Sequence, residues 1–329
     1  MTHELLTRRD IFEYWTHAAA FLPMRDFRYS LPYKALMRGG HGHWIRSRDR
    51  ALMQRLLDQV RSDGALRSRD VGTRSQRSTG WWDWKPAKQA LEQLFMEGKL
   101  LVSARHGMEK VYDLPERVLP SWVDTRPPSP QECAQHLLQQ QLRCHAFVSR
   151  SGATYSRRNP ALREAMAELL TQQVARGDLE VVTLADGDQY FCLPGLLDQR
   201  LPPPGSRLHI LSPFDNAVIQ RERLKRVFAF DYQLECYIPA TKRRYGYFCL
   251  PLLFRDGFVG SLDCKADRPS RTLQIRALHL QETARTDEAL RRALVHSLRA
   301  FAIFQDCDNI KPSTNLPQRW RTYLGGNID

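Results

Sequence analysis

Gly98-Lys99-Leu100, followed by Tyr112-Asp113-Leu114-Pro115, returns 79 residues later as Gly177-Asp178-Leu179 followed by Phe191-Cys192-Leu193-Pro194. Each glycine closes a stretch with helical spacing of apolar residues, 85–97 in the first case and 160–176 in the second, where it suits a C-cap. Two strand-like runs follow each time. They are 100–104 and 110–114 around His106-Gly107, then 180–184 and 189–193 around Asp186-Gly187, a strong hairpin signal. Upstream of the first long helix, 48–63 places Leu52, Leu56, Leu57 and Val60 on one face before Gly64, and a short element follows at 66–71. Upstream of the second, 131–146 is again amphipathic.

Helix, short element, helix and hairpin are the parts of a winged helix-turn-helix, and their recurrence at a fixed offset predicts a tandem repeat. The Pro-rich segment 126–130 separates the copies and 202–205 closes the second. The remainder is different in kind: 208–211, 233–237, 245–253, 258–265 and 272–280 read as strands, Asp256-Gly257 as a turn, and 286–305 as a closing helix. The expected fold class is α+β, with tandem winged helix-turn-helix units followed by a β-rich C-terminal domain. The expected domains are 1–47; 48–125 and 131–200, the winged helices; and 205–329.

Charge then says what such a fold could hold. The 329 residues carry 49 Lys and Arg against 36 Asp and Glu, a net charge of +13. Residues 37–110 contain 15 of the basic and 8 of the acidic residues, so over half of the excess lies in under a quarter of the chain. Within that stretch Arg67, Arg69, Arg74 and Arg77 precede Trp81, Trp82, Trp84, Lys85 and Lys88. Cations that neutralise phosphates, interleaved with rings that stack on bases, suit nucleic acid. Lys242-Arg243-Arg244-Tyr245 is a second such cluster. The competing reading is, for the first cluster, core tryptophans with arginines on a wet surface, and for the second, a hairpin with a solvated basic turn. The second repeat carries Arg157, Arg158 and Arg163 and no tryptophan, which makes it a structural partner or a second backbone clamp.

Other chemistries are excluded or left without a site. No uncharged run exceeds the eleven residues 14–24, too short for a membrane span. The seven cysteines are scattered and never spaced as C-x-x-C, as in a reduced cytosolic protein. Cys133, His136, Cys144 and His145 fall on one amphipathic helix, so no metal and no cofactor is expected.

The segments Gly80-Trp81-Trp82-Asp83-Trp84-Lys85-Pro86, Val111-Tyr112-Asp113-Leu114, Leu211-Ser212-Pro213-Phe214-Asp215, Leu234-Glu235-Cys236-Tyr237, Tyr245-Gly246-Tyr247-Phe248 and Leu250-Pro251-Leu252-Leu253 together resemble the YcaQ/AlkZ family. These are bacterial winged-helix DNA glycosylases that remove bulky alkylated and crosslinked purines, and Glu13-Tyr14-Trp15-Thr16-His17 looks like a further family segment. The resemblance implies a monomer that wraps damaged double-stranded DNA in the bacterial cytoplasm, associated with the nucleoid, and hydrolyses an N-glycosidic bond. It also implies a catalytic Gln-x-Asp or Gln-x-Gln in an N-terminal helical region, of which 1–47 is then the remnant, left by a truncated reading of a longer gene or by true loss. No Gln-x-Asp occurs in the sequence, and Gln139-Gln140-Gln141 lies in the second repeat, where the family does not place its motif. The catalytic residues are therefore unassigned. His17 is a candidate neighbour of the site, and Asp215, after Ser212-Pro213, reads as a turn or cap; neither it nor Asp263 is given a catalytic role. Phe12, Tyr14, Trp15 and Phe21 in a short opening segment predict packing partners that a truncated reading would have lost. The alternative is a winged-helix protein that binds DNA without cutting it.

Overall fold

The computed structural model describes residues 2–16, 18–40, 48–71, 86–155, 157–282, 287–324 and 326–327. The chain divides into two compact units, residues 1–136 with 156–165, and residues 137–155 with 166–329. Its class is α+β.

The repeat is present, and its two hairpins share part of their register. In the first copy the helix Arg50–Asp63, strand Leu66–Arg67, short turn Ser68–Asp70 and helix Pro86–Met96 lead to the strands Leu101–His106 and Glu109–Asp113. In the second, Pro130–His145, Phe147–Ser149, Arg150–Ala153 and Pro160–Ala175 lead to Glu180–Thr183 and Gln189–Cys192. In both three-stranded sheets the last strand lies in the middle, with the short first strand on one side and the first hairpin strand on the other. Val102 faces Tyr112 and Leu101 faces Asp113; 79 residues on, Val181 faces Phe191 and Glu180 faces Cys192. Beyond these pairs the registers part: a bulge between Val102 and Ala104 sets Ala104 opposite Val111, whereas Thr183 faces Gln189.

Gly98 shows why the decisive motif needs glycine. Its φ is +71°, and a Cβ there would strike the aliphatic stem of Lys34, which is itself fully buried on the helix Leu31–Arg38. The first core joins Leu56, Val60, Leu91, Leu94 and Leu100 to Phe12, Tyr14 and Phe27.

That core corrects two expectations. The opening segment is a β-hairpin, Ile11–Trp15 against Ala19–Pro23, preceded by the helix Thr2–Thr7 and followed by Leu31–Arg38. Its aromatic residues have partners in this chain: the Tyr14 ring packs edge-on to Phe95 at 5.5 Å and its hydroxyl donates to the Met96 carbonyl at 2.6 Å. Phe12 is likewise buried against Phe27, and only Phe21 is largely exposed. Phe12 and Tyr14, expected to have lost their packing partners, therefore have them within this chain.

The C-terminal sheet has six strands, in the order Gly326–Asn327, Asn309–Pro312, Thr272–Leu280, Gly257–Asp267, Cys249–Phe254 and Leu208–Ile210. All pairs are antiparallel except Thr272–Leu280 with Asn309–Pro312, which the helix Glu288–Phe304 connects, as a parallel pair requires. Leu290, Leu294 and Leu298 of that helix share a core with Leu252, Leu262 and Leu273 of the sheet. The helix is followed by a strand and by the helix Gln318–Leu324, whose Trp320 and Leu324 are buried, so it does not close the ordered chain as expected. Residues 233–237 are not a strand either. Glu235–Tyr237 form a short 3-10 turn, because the Glu235 side chain is engaged inward on the loop that follows.

Candidate nucleic-acid interface

The segment between Leu234 and Cys249 is irregular backbone over a small core of Val218, Leu224, Phe230, Tyr232 and Phe258. Two buried carboxylates impose its shape. Glu235 is 5% exposed and accepts the backbone N–H groups of Arg244, Tyr245 and Gly246 at 2.9, 2.7 and 3.1 Å. Burial raises its pKa, but the three donors and the nearby Arg243 outweigh that and hold it below the ordinary glutamate value. Asp263, also buried, accepts the Tyr247 N–H at 3.1 Å from a point where the register of its strand shifts. Gly246 sits between them at φ +148°, and a Cβ there would run into the Asp263 carboxyl. On the far side, His279 Nε2 lies 2.8 Å from the Tyr245 carbonyl.

Anions therefore fix the inner side of a loop whose outer side is cationic and aromatic. Arg243 donates through Nε to the carbonyls of Ile238 and Glu235 at 2.8 and 3.2 Å, and its guanidinium lies 4.9 Å from the Tyr247 ring centre. Arg244 lies 5.0 Å from the ring of Tyr245. Lys242, Arg244, Tyr247 and Phe248 are exposed, and Tyr237 is 78% exposed on the neighbouring turn. Exposed flat rings beside exposed cations provide stacking together with phosphate neutralisation.

Of the residues singled out in this loop, Lys242 and Arg244 face solvent, Arg243 is a brace, and Tyr245 is half-buried against His279. The exposed rings are Tyr237, Tyr247 and Phe248. Reading 233–237 and 245–253 as strands hid this exposure, although three aromatic residues beside a glycine mark 245–248 as unlike the rest of a strand.

The first cluster is distributed differently. Arg67 forms a two-pronged pair with Asp70 at 2.8 and 3.0 Å, and Arg69 pairs with Glu109 of the hairpin, so both charges are matched locally. Lys88 lies on an exposed position of the helix Pro86–Met96. Arg74, Arg77, Trp81, Trp82, Trp84, Lys85 and His17 lie outside the described residues.

Other sites resolve into structure. Asp215 caps the helix Asn216–Ile219, accepting the Ala217 N–H at 2.9 Å, as its position after Ser212-Pro213 led us to expect. His136 stacks on Tyr29 at 3.7 Å. Among the described residues there is no cluster of three or more His, Cys, Asp or Glu fit to hold a metal, and no helix long and apolar enough to cross a membrane.

Comparison with known proteins bears on the whole chain. The model of a family described as "DNA glycosylase AlkZ-like" matches residues 1–304. Among solved structures, the Streptomyces sahachiroi DNA glycosylase AlkZ is similar, with a TM-score of 0.55 and 16% identity over 95% of this chain and 84% of that one. At that identity the likeness is one of fold.

Proposed function

The chain belongs to the AlkZ-like family of DNA glycosylases, and from that premise we propose that it binds damaged duplex DNA and hydrolyses the N-glycosidic bond of bulky N7-alkylated or crosslinked purines. The observation that carries the DNA contact is the Lys242–Phe248 loop, where two buried carboxylates hold exposed cations and rings in one fixed arrangement. In this reading residues 48–125 and 131–200 act as winged helices, 205–329 supplies the loop, and the protein works as a monomer on bacterial chromosomal DNA.

The chemistry asks little of the protein. Alkylation at N7 places positive charge on the base, so the leaving group departs without strong acid help. What remains is to hold a water and to stabilise the cationic sugar. Four carboxylates are occupied otherwise: Glu13 pairs with Arg105, Asp215 caps a helix, and Glu235 and Asp263 hold the loop.

One observation favours a second reading, binding without cutting: the sequence contains no Gln-x-Asp. A duplex with a single guanine carrying a bulky N7-alkyl adduct separates the two. Salt-sensitive duplex binding is expected on both. Free base appearing in proportion to time and protein establishes the glycosylase, and tight binding with no release establishes the second reading. Failure to bind duplex DNA overturns both.

A further inference from the structure

An open pocket of about 350 Å³ in the first compact unit is lined by Arg38, Arg48, Arg50 and Lys99 together with Glu97. Three pieces of chain meet there: the end of the helix Leu31–Arg38, the start of Arg50–Asp63, and the turn after Pro86–Met96. Glu97, 3% exposed, is the post around which the cations stand. Its carboxylate accepts from Gln93 at 2.6 Å and lies 3.0 Å from Lys99 Nζ and 3.7 Å from Arg48.

One carboxylate faces four cations, and the hydrogen bonds of Arg38 and Arg48 go to backbone carbonyls. Arg38 donates to the Glu97 carbonyl at 2.8 Å, and Arg48 donates to the carbonyls of Arg38 and Met37. Carbonyl acceptors orient a guanidinium without cancelling its charge. Arg50 makes no ion pair or side-chain hydrogen bond among the described residues. Three formal positive charges are left over in a concave site, where their field is focused. A divided anion with several acceptor oxygens, approached by forked guanidinium donors, is the ligand this geometry suits.

We propose that this pocket binds a phosphate ester, with Arg50 and Lys99 as direct ligands and Arg38 and Arg48 as oriented donors. The chemistry is shared by a backbone phosphodiester of DNA and by a free phosphate or mononucleotide. The first source rests on the DNA-binding reading above, and the second does not.

The test uses the full chain and the double variant Arg50→Ala, Lys99→Ala. Lys99 is the nearer ion-pair partner of the buried Glu97, so the double variant is expected to melt earlier in chloride, whereas Arg50→Ala, which breaks no ion pair among the described residues, is expected to melt as the wild type does. In one arm duplex affinity is followed against salt. A DNA phosphate in the pocket predicts affinity weakened about tenfold, with the slope of log K against log salt shallower by about one for each phosphate no longer neutralised. In the other arm, inorganic phosphate and a 5′-mononucleotide are compared with chloride at equal ionic strength. A rise in melting temperature that the variant loses, with duplex binding unchanged, assigns the pocket to a free phosphate. Indifference of the variant in both arms overturns the site. Were the wild type not to bind duplex at all, the DNA reading would fall and the phosphate arm alone would decide the pocket. A single-site control, Arg50→Ala, covers a double variant that melts early; its retention of both effects also overturns the proposal.

Discussion

Replacing Glu13 by Ala is expected to destabilise the first compact unit by about 3–5 kcal/mol, the scale for removing one member of a buried ion pair. Glu13 sits on the strand Ile11–Trp15 at 3% exposure, and its two oxygens receive Arg105 Nη2 and Nε at 2.6 and 2.8 Å. Lys110 stands 3.7 Å away and also binds Glu92 at 2.9 Å, which accepts the Tyr112 hydroxyl at 2.8 Å. The chain of charges therefore ties the opening hairpin to both strands of the first repeat's hairpin. Without Glu13 the half-buried Arg105 is stripped of its counter-ion while remaining desolvated. Urea unfolding measures the effect as a shift in midpoint. The double variant Glu13→Ala, Arg105→Met should recover part of the loss, since it removes the stranded charge as well. A shift no larger than that of an exposed pair such as Asp58 with Arg61, under about 1 kcal/mol, would show that the network does not hold the hairpin.

The second large effect is expected at Glu235. Its replacement by Ala leaves three backbone N–H donors without their acceptor, at about 1–3 kcal/mol for each one that water does not reach. The loop has no strand ladder to fall back on, so Lys242, Arg244, Tyr247 and Phe248 lose their common arrangement while all four remain in the sequence. Duplex affinity should fall by about tenfold or more, since a preordered binding surface is replaced by one that must be ordered on binding. Glu235→Gln, which keeps one carbonyl acceptor, should lie between. Anisotropy titration of a short duplex checks this, with the melting curve read alongside. Undiminished affinity in Glu235→Ala would show that the loop's shape does not matter to DNA.

Local patterning and tertiary pairing divide the molecule between them. The repeat was legible because it depends on local signals: a glycine forced to positive φ, a helical apolar face before it and a hairpin after it, all returning at one offset. That offset carries through to part of the strand register, Val102 with Tyr112 and Val181 with Phe191. The site was less legible because it depends on which charge finds which partner. Arg67 and Arg69 looked like free cations, yet Asp70 lies three residues on and Glu109 arrives from the hairpin. Glu235 and Asp263 looked like ordinary polar residues of strands, and their capture of backbone donors from 244–247 is a tertiary event that alternation cannot announce. The same holds for Phe12 and Tyr14. Their aromatic character signalled burial correctly, while the Phe95 and Met96 that receive Tyr14 lie some eighty residues away.

Binding to DNA is tested most directly by the salt dependence of duplex affinity for the wild type and for Lys242→Ala, Arg244→Ala. Neither side chain braces the loop as Arg243 does, so the fold is left in place. The wild type should show a linear fall of log K with log salt. In the variant the slope should be shallower by about two, one for each phosphate no longer neutralised, with affinity lowered on every sequence alike. Identical slopes for the two proteins would contradict a role for this loop in holding DNA.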